Sequence, residues 1–169
     1  MIIILEGADL VGKTTITKSL SENLHIPRTG TWVDLTQPKP AVISVAKATK
    51  MILDVLCPDI IFDRSFMSEW VYGRLLGREY EYIDELILEW GQIDNVFLVV
   101  LYASEDVLRS RYNVRGDKYL GIEEILQANE IYKDFYDYVH QHITSCFLDV
   151  SSMNFADVVD YISKWIYSQ

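Results

Sequence analysis

The sequence predicts a three-layer α/β fold in which a mostly parallel five-stranded sheet lies between helices. Three observations predict it. Apolar runs of strand length alternate along the chain with longer stretches of helical period. The 169 residues, half of them hydrophobic and 24% charged, have globular composition and suffice for one ordinary core. No internal repeat, low-complexity tract or linker divides residues 1–169, so a single domain is expected.

The elements follow in order. Strands are expected at Ile2–Leu5, Asp59–Phe62, Val96–Tyr102 and Cys146–Asp149, with a weaker fifth near His25–Arg28 or Thr31–Leu35. Helices are expected at Lys13–Asn23, Ala41–Leu56, Ser65–Leu76, Tyr82–Gln92, Glu105–Tyr112, Ile122–His140 and Phe155–Tyr167. Ser104 with Asp106, and Ser152 with Asn154, read as N-cap regions. The segment from Thr29 to Pro40, with two prolines and little period, reads as a surface loop. The opening MIIILEG lacks a basic flank and runs into Glu6, which marks a buried strand and not a secretion signal. No apolar run is long enough to span a bilayer. Cys57 and Cys146 are the only thiols, so neither a disulfide framework nor a four-ligand zinc site is expected, and a reducing cytoplasm is the default location.

The net charge of −10 disfavours a nonspecific grip on polymeric nucleic acid. Four of the fifteen basic residues nevertheless fall within positions 109–118, and only Lys133 and Lys164 follow Lys118. Anion handling is therefore expected within the first 118 residues.

The strongest motif is Gly7-Ala8-Asp9-Leu10-Val11-Gly12-Lys13-Thr14, followed by Thr15, which fits GxxxxGK[ST] between an apolar run and a helical stretch. Gly7 and Gly12 permit torsions and close approaches that a Cβ would block. Successive N–H groups then point inward at the positive end of a helix and form an anion nest. In this phosphate loop Lys13 would reach the β- and γ-phosphates of ATP, and the Thr14 hydroxyl would bind Mg²⁺. The fold class sharpens to that of the P-loop NTPases. A second signal is Ile60-Ile61-Phe62-Asp63-Arg64-Ser65, an apolar run ending in an acid and a base. Ligands of open α/β sheets sit at the carboxyl ends of strands, which places Asp63 beside the phosphate loop. There it would hold Mg²⁺ through water, and Arg64 would clamp an acceptor phosphate.

GADLVGKTT followed some fifty residues later by FDRSFMSEWVYG resembles thymidylate kinase. The resemblance is firm over about residues 2–21 and 59–74 and moderate over 96–120. It implies that Asp9 binds the acceptor's sugar hydroxyl, that Arg64 holds the acceptor phosphate, and that Ser68 and Tyr72 belong to the acceptor site. Lys50 stands roughly where that family carries a base-contacting arginine, and Arg28 near one that faces the acceptor phosphate. Ser65 replaces a usual aromatic and Gly73 a frequent Gln, and the DRS triplet is reminiscent of deoxynucleoside kinases. The resemblance also implies a homodimer, and so compact a chain resembles virus-type members.

The phosphate loop carries Leu10 and no arginine, so further positive charge must come from elsewhere. Arg109, Arg111 and Arg115, in a short lid over about residues 109–119 with Gly116 as its hinge, are the natural source. Lids that supply the arginines resemble those of nucleotide kinases. His25, His140 and His142 lack partners at metal-ligand spacing, and Tyr132, Tyr136 and Tyr138 read as helix packing.

The leading functional expectation is transfer of the γ-phosphoryl group of Mg·ATP to a pyrimidine deoxynucleoside monophosphate, dTMP or a modified relative. Two others stand beside it: a kinase of a hydroxyl acceptor (a deoxynucleoside, or a hydroxymethylpyrimidine in DNA), and a nucleotide-hydrolysing switch. The N-K-x-D run of Ras-type GTPases is missing from the sequence.

Overall fold

The opening apolar run folds as β1 (Ile2–Gly7), and all six of its residues are buried. Successive side chains of a strand point to opposite faces, so this burial means that the sheet is covered on both. The computed structural model describes residues 1–30, 39–56, 59–78 and 80–169. Strands β2 (Arg28–Gly30), β3 (Ile60–Asp63), β4 (Val96–Tyr102) and β5 (Thr144–Asp149) complete a five-stranded sheet of order β2-β3-β1-β4-β5, and every neighbouring pair is parallel. The chain fills one side of β1 with β2 and β3 before crossing to β4 and β5 on the other. Strand order thus reverses beside β1, where an open α/β sheet presents its ligand crevice.

Helix α1 (Lys13–Leu24) packs with α7 (Phe155–Tyr167), and α3 (Ser68–Leu75) packs with α6 (Ile122–Val139). Helix α2 (Lys39–Leu56) meets α4 (Tyr82–Trp90), and α5 (Glu105–Arg115) leans on α6. Beneath β3 the fully buried Trp90 meets Phe62 and Phe66 edge-on, with centroids 6.4 and 5.1 Å apart. Edge-on pairing adds about 0.5–1.5 kcal/mol to the burial of such rings.

The expected α/β class and parallel sheet are borne out, and the differences are local. The weak fifth strand lies at Arg28–Gly30, at the edge of one expected position, while Thr31–Leu35 lies outside the described residues, as does Cys57. Helix α3 begins at Ser68 and not at Ser65, because the Ser65 amide and hydroxyl are both bound to Glu6, each at 2.8 Å. Helix α5 runs on to Arg115, so all three lid arginines belong to one helix that ends at Gly116. Asn154 caps α7, its side chain accepting from the Asp157 amide at 3.0 Å. Ser104 occupies the N-cap of α5 without a side-chain bond, and its amide instead donates to Ser151 Oγ at 2.7 Å. No described helix is long and apolar enough to cross a membrane.

Candidate active site

Between β1 and α1 the chain turns through the glycine-rich loop. Gly7 has φ 144°, and a Cβ there would lie 2.5 Å from the Leu101 carbonyl oxygen of β4. Gly12 has φ 103°, and a Cβ there would lie 2.9 Å from the Phe155 ring. Both positions therefore favour glycine by torsion, and at Gly7 the backbone of β4 leaves no space for a Cβ either. Leu10, at φ 68°, takes a left-handed conformation without that freedom. Helix α1 has no side-chain cap and no acidic residue in its first turn, so its first amides are left for an anion. Lys13 is buried, and its Nζ donates to the carbonyls of Gly7 and Ala8 at 2.8 and 2.5 Å, bracing the loop across its base.

At the end of β3, Asp63 is followed by Arg64 at φ 73°, whose amide donates to the Leu5 carbonyl at 3.0 Å. This turn carries the guanidinium back over the end of β1. Arg64 Nη2 donates to Asp9 Oδ1 at 2.6 Å and to the Tyr72 hydroxyl at 3.1 Å. Its Nη1 donates to Tyr132 at 3.2 Å and to Ser68 at 3.4 Å. Tyr72 in turn donates to Asp9 Oδ2 at 3.0 Å. Asp9, Arg64, Ser68 and Tyr72, expected together from four separate positions, are thus brought into one hydrogen-bonded group.

Beneath that group lies Glu6, the one acid of β1 and fully buried. One of its oxygens accepts from the Ser65 amide and hydroxyl, and the other from Ser68 at 2.6 Å and Tyr132 at 3.1 Å. Tyr132, on α6, is therefore more than the packing residue expected from its helical spacing.

The charges fix one another. Burial raises the pKa of Asp9, but Arg64, then Lys13 and the Tyr72 bond outweigh it and hold the carboxyl below its usual value. Burial, reinforced by Arg64, depresses the Lys13 ammonium to about 7 against the opposing pull of Asp9, Glu6 and Asp63. Burial disfavours charge on Arg64 too, yet the surrounding Tyr72, Tyr132, Asp9 and Glu6 keep its pKa well above the ordinary value.

A cleft of about 520 Å³ runs from Asp9 and Arg64 past Lys13, Thr14, Thr15 and Asp63 to the C-terminal half of α5. Arg111 and Arg115 line it, and Arg111 Nη1 donates to the Leu10 carbonyl at 2.8 Å, docking the lid helix on the phosphate loop. Arg109 does not reach the cleft. Two residues along a helix is a turn of about 200°, which sends it to the far face, where it pairs with Glu105 and Glu123 at 2.7 and 2.9 Å. Lys50, on α2, also lies outside the cleft and is paired with Asp54 at 2.7 Å. Phe155 and Asp117 line the cleft without having been expected there. An aromatic one residue past an N-cap carries no functional signal in sequence, and an acid among lid arginines reads as their neighbour. Thr14 and Asp63, both lining the cleft, are residues with hard oxygens, and no cage of three or more acidic, His or Cys ligands exists among the described residues. Such a pair fits Mg²⁺, which takes most of its ligands from phosphate and water.

No family model matches the chain. It is similar to the SPbeta prophage-derived uncharacterized protein YorR of Bacillus subtilis (strain 168), 28% identical over 141 residues that span 79% of this chain and 80% of that protein. Among solved structures, YorR from Bacillus subtilis in complex with phosphorylated GDP superposes with a TM-score of 0.79 at 21% identity, covering 99% of this chain and 96% of that one. Deoxyadenosine kinase from M. mycoides, with the products dCMP and dCDP, gives 0.67 at 18% identity and 99% of both chains. Thymidylate kinase from Candida albicans gives 0.69 at 17% identity, with 99% and 91% covered. The chain shares its fold with both of these kinases.

Proposed function

We propose that the chain is a kinase that moves the γ-phosphoryl group of Mg·ATP onto a small nucleoside-type acceptor. The observation that carries this reading is a single cleft lined by the phosphate loop, by Asp63 and Arg64 at the strand end, and by the lid arginines Arg111 and Arg115. The loop amides and Lys13 would hold the β- and γ-phosphates, and Arg111 and Arg115 would meet the charge that spreads over the transferring group. Thr14 and Asp63 would hold Mg²⁺, which neutralises phosphate charge when bound. The acceptor oxygen attacks the γ-phosphorus in line as the bond to the β–γ bridging oxygen breaks, and ADP leaves. Transfer of this kind needs positioning and fixed charge, not a protein nucleophile. The shared fold with deoxyadenosine and thymidylate kinases supports the acceptor class.

The acceptor we favour is a pyrimidine deoxynucleoside monophosphate, its phosphate taken by Arg64 and its sugar hydroxyl by Asp9 as Tyr72 packs alongside. One observation favours a second reading. Both terminal nitrogens of Arg64 are each engaged twice by protein groups, and Asp9 already supplies the anion at its fork. A phosphate that takes the two terminal nitrogens must displace Asp9 from that fork, whereas a hydroxyl acceptor such as a deoxynucleoside need not. ADP release from Mg·ATP, measured with separate pools of deoxynucleosides and their monophosphates, is expected to depend on the monophosphate pool. It should fall by at least about 100-fold in Lys13→Ala and in Arg64→Ala. Turnover with deoxynucleosides alone would establish the hydroxyl reading, and turnover without any acceptor would overturn the kinase assignment.

A further inference from the structure

We infer that Glu6 is a positioning residue of the proposed reaction: from inside the sheet it holds, through Ser68 and Tyr132, the Arg64 guanidinium in the cleft. The inference rests on the reading of Arg64 as the acceptor-side cation. An ionised carboxylate taken out of water is costly unless its oxygens are satisfied. Glu6 meets that demand with four neutral donors: the Ser65 amide, the Ser65 hydroxyl, the Ser68 hydroxyl and the Tyr132 hydroxyl.

The polarity of these bonds is what makes the acid specific. A carboxylate only accepts, so in their bonds to Glu6 both Ser68 and Tyr132 donate, Tyr132 at 3.1 Å in preference to its longer 3.4 Å contact with Ser68 Oγ. Their lone pairs are then turned outward, and Arg64 Nη1 donates to both. Arg64, a pure donor, thus finds two acceptors whose direction was set from below. The backbone is held by the same anchor. Arg64 sits at φ 73°, a strained torsion for a side-chain-bearing residue. On one side its own amide is bound to the Leu5 carbonyl, and on the other Ser65 is tied twice to Glu6. A glutamine at position 6 would keep the shape and reverse the polarity, because its amide donates toward the hydroxyl oxygens and competes with Arg64. A leucine there would fill the space and leave both hydroxyls free to turn.

The test is a double-mutant cycle on acceptor turnover. Glu6→Gln and Tyr132→Phe are made in the wild-type and in the Arg64→Lys background. For each variant we would measure the acceptor kcat/KM, and the Kd for Mg·ATP by calorimetry. In the wild-type background each substitution is expected to lower the acceptor kcat/KM about tenfold. In the Arg64→Lys background, where the forked partner is gone, each should change it by less than about twofold. Donor Kd should stay within about twofold for Tyr132→Phe, which marks the loss as acceptor-side. Equal losses in both backgrounds would show that Glu6 acts only through general stability, and unchanged kcat/KM would show that it does not act on Arg64. Both results overturn the inference. If Glu6→Gln fails to fold, Tyr132→Phe decides alone. Wild-type protein without acceptor-dependent turnover would instead overturn the kinase reading and take this inference with it.

Discussion

Lys13 carries its charge in a buried setting. Its ammonium is buried, crowded by Arg64 and depressed to about 7. The unfolded chain holds the same proton to about pH 10.4. Between these two values unfolding takes up a proton, so stability should rise with pH across that window, with the full penalty present below about 7. Activity should run the other way. The donor kcat/KM, which reports free enzyme, is expected to fall with the loss of one proton above about pH 7, while kcat falls only at higher pH because bound phosphates hold the proton on. A pH–rate profile flat to pH 9 would contradict this placement of Lys13. At this scale the sequence reveals residues whose motif is contiguous. Lys13, Thr14, Asp63 and Arg64 were readable because strand, loop and helix lie in immediate succession. Glu6 and Tyr132 were not, since their contact joins positions 126 apart and only the fold brings them together.

At the scale of elements, α5 decides which basic residues matter. A run of arginines in sequence suggests one cluster, but helical geometry divides it. Arg111 and Arg115 lie four apart on the face toward the phosphate loop, and Arg109 lies on the opposite side. The division was hidden in the sequence because the helix outlasts its expected end at Tyr112 and runs on to Arg115. Arg111→Ala and Arg115→Ala are each expected to lower kcat by about 100-fold, from loss of charge at the transferring phosphoryl group. Arg109→Ala should stay within about twofold, because exposed ion pairs contribute little. A steady-state comparison of the three variants checks this, and a large loss in Arg109→Ala would contradict the placement. The turn before α3 carries a similar lesson. Helical period alone assigns Ser65 to the helix, whereas the buried acid of β1 claims its amide and hydroxyl and keeps it in the turn.

At the scale of the molecule, a strongly acidic chain brings four of its fifteen basic residues to one cleft. Lys13, Arg64, Arg111 and Arg115 converge on a single cleft at the carboxyl edge of the sheet, within a protein of net charge −10. That arrangement suits a small, highly charged anion held in a concavity and opposes an extended polyanion lying on the surface. The sheet order was not spelled out by any stretch of sequence, yet the all-parallel register follows from apolar strands separated by helices. The loop from Gly7 to Thr14 is expected to cradle the phosphates of a nucleoside triphosphate. Titration calorimetry of the folded chain with Mg·ATP tests it most directly. Saturable one-site binding is expected, weakened at least about tenfold in Lys13→Ala. Absence of binding by folded wild-type protein, or equal affinity in the Lys13→Ala variant, would contradict it.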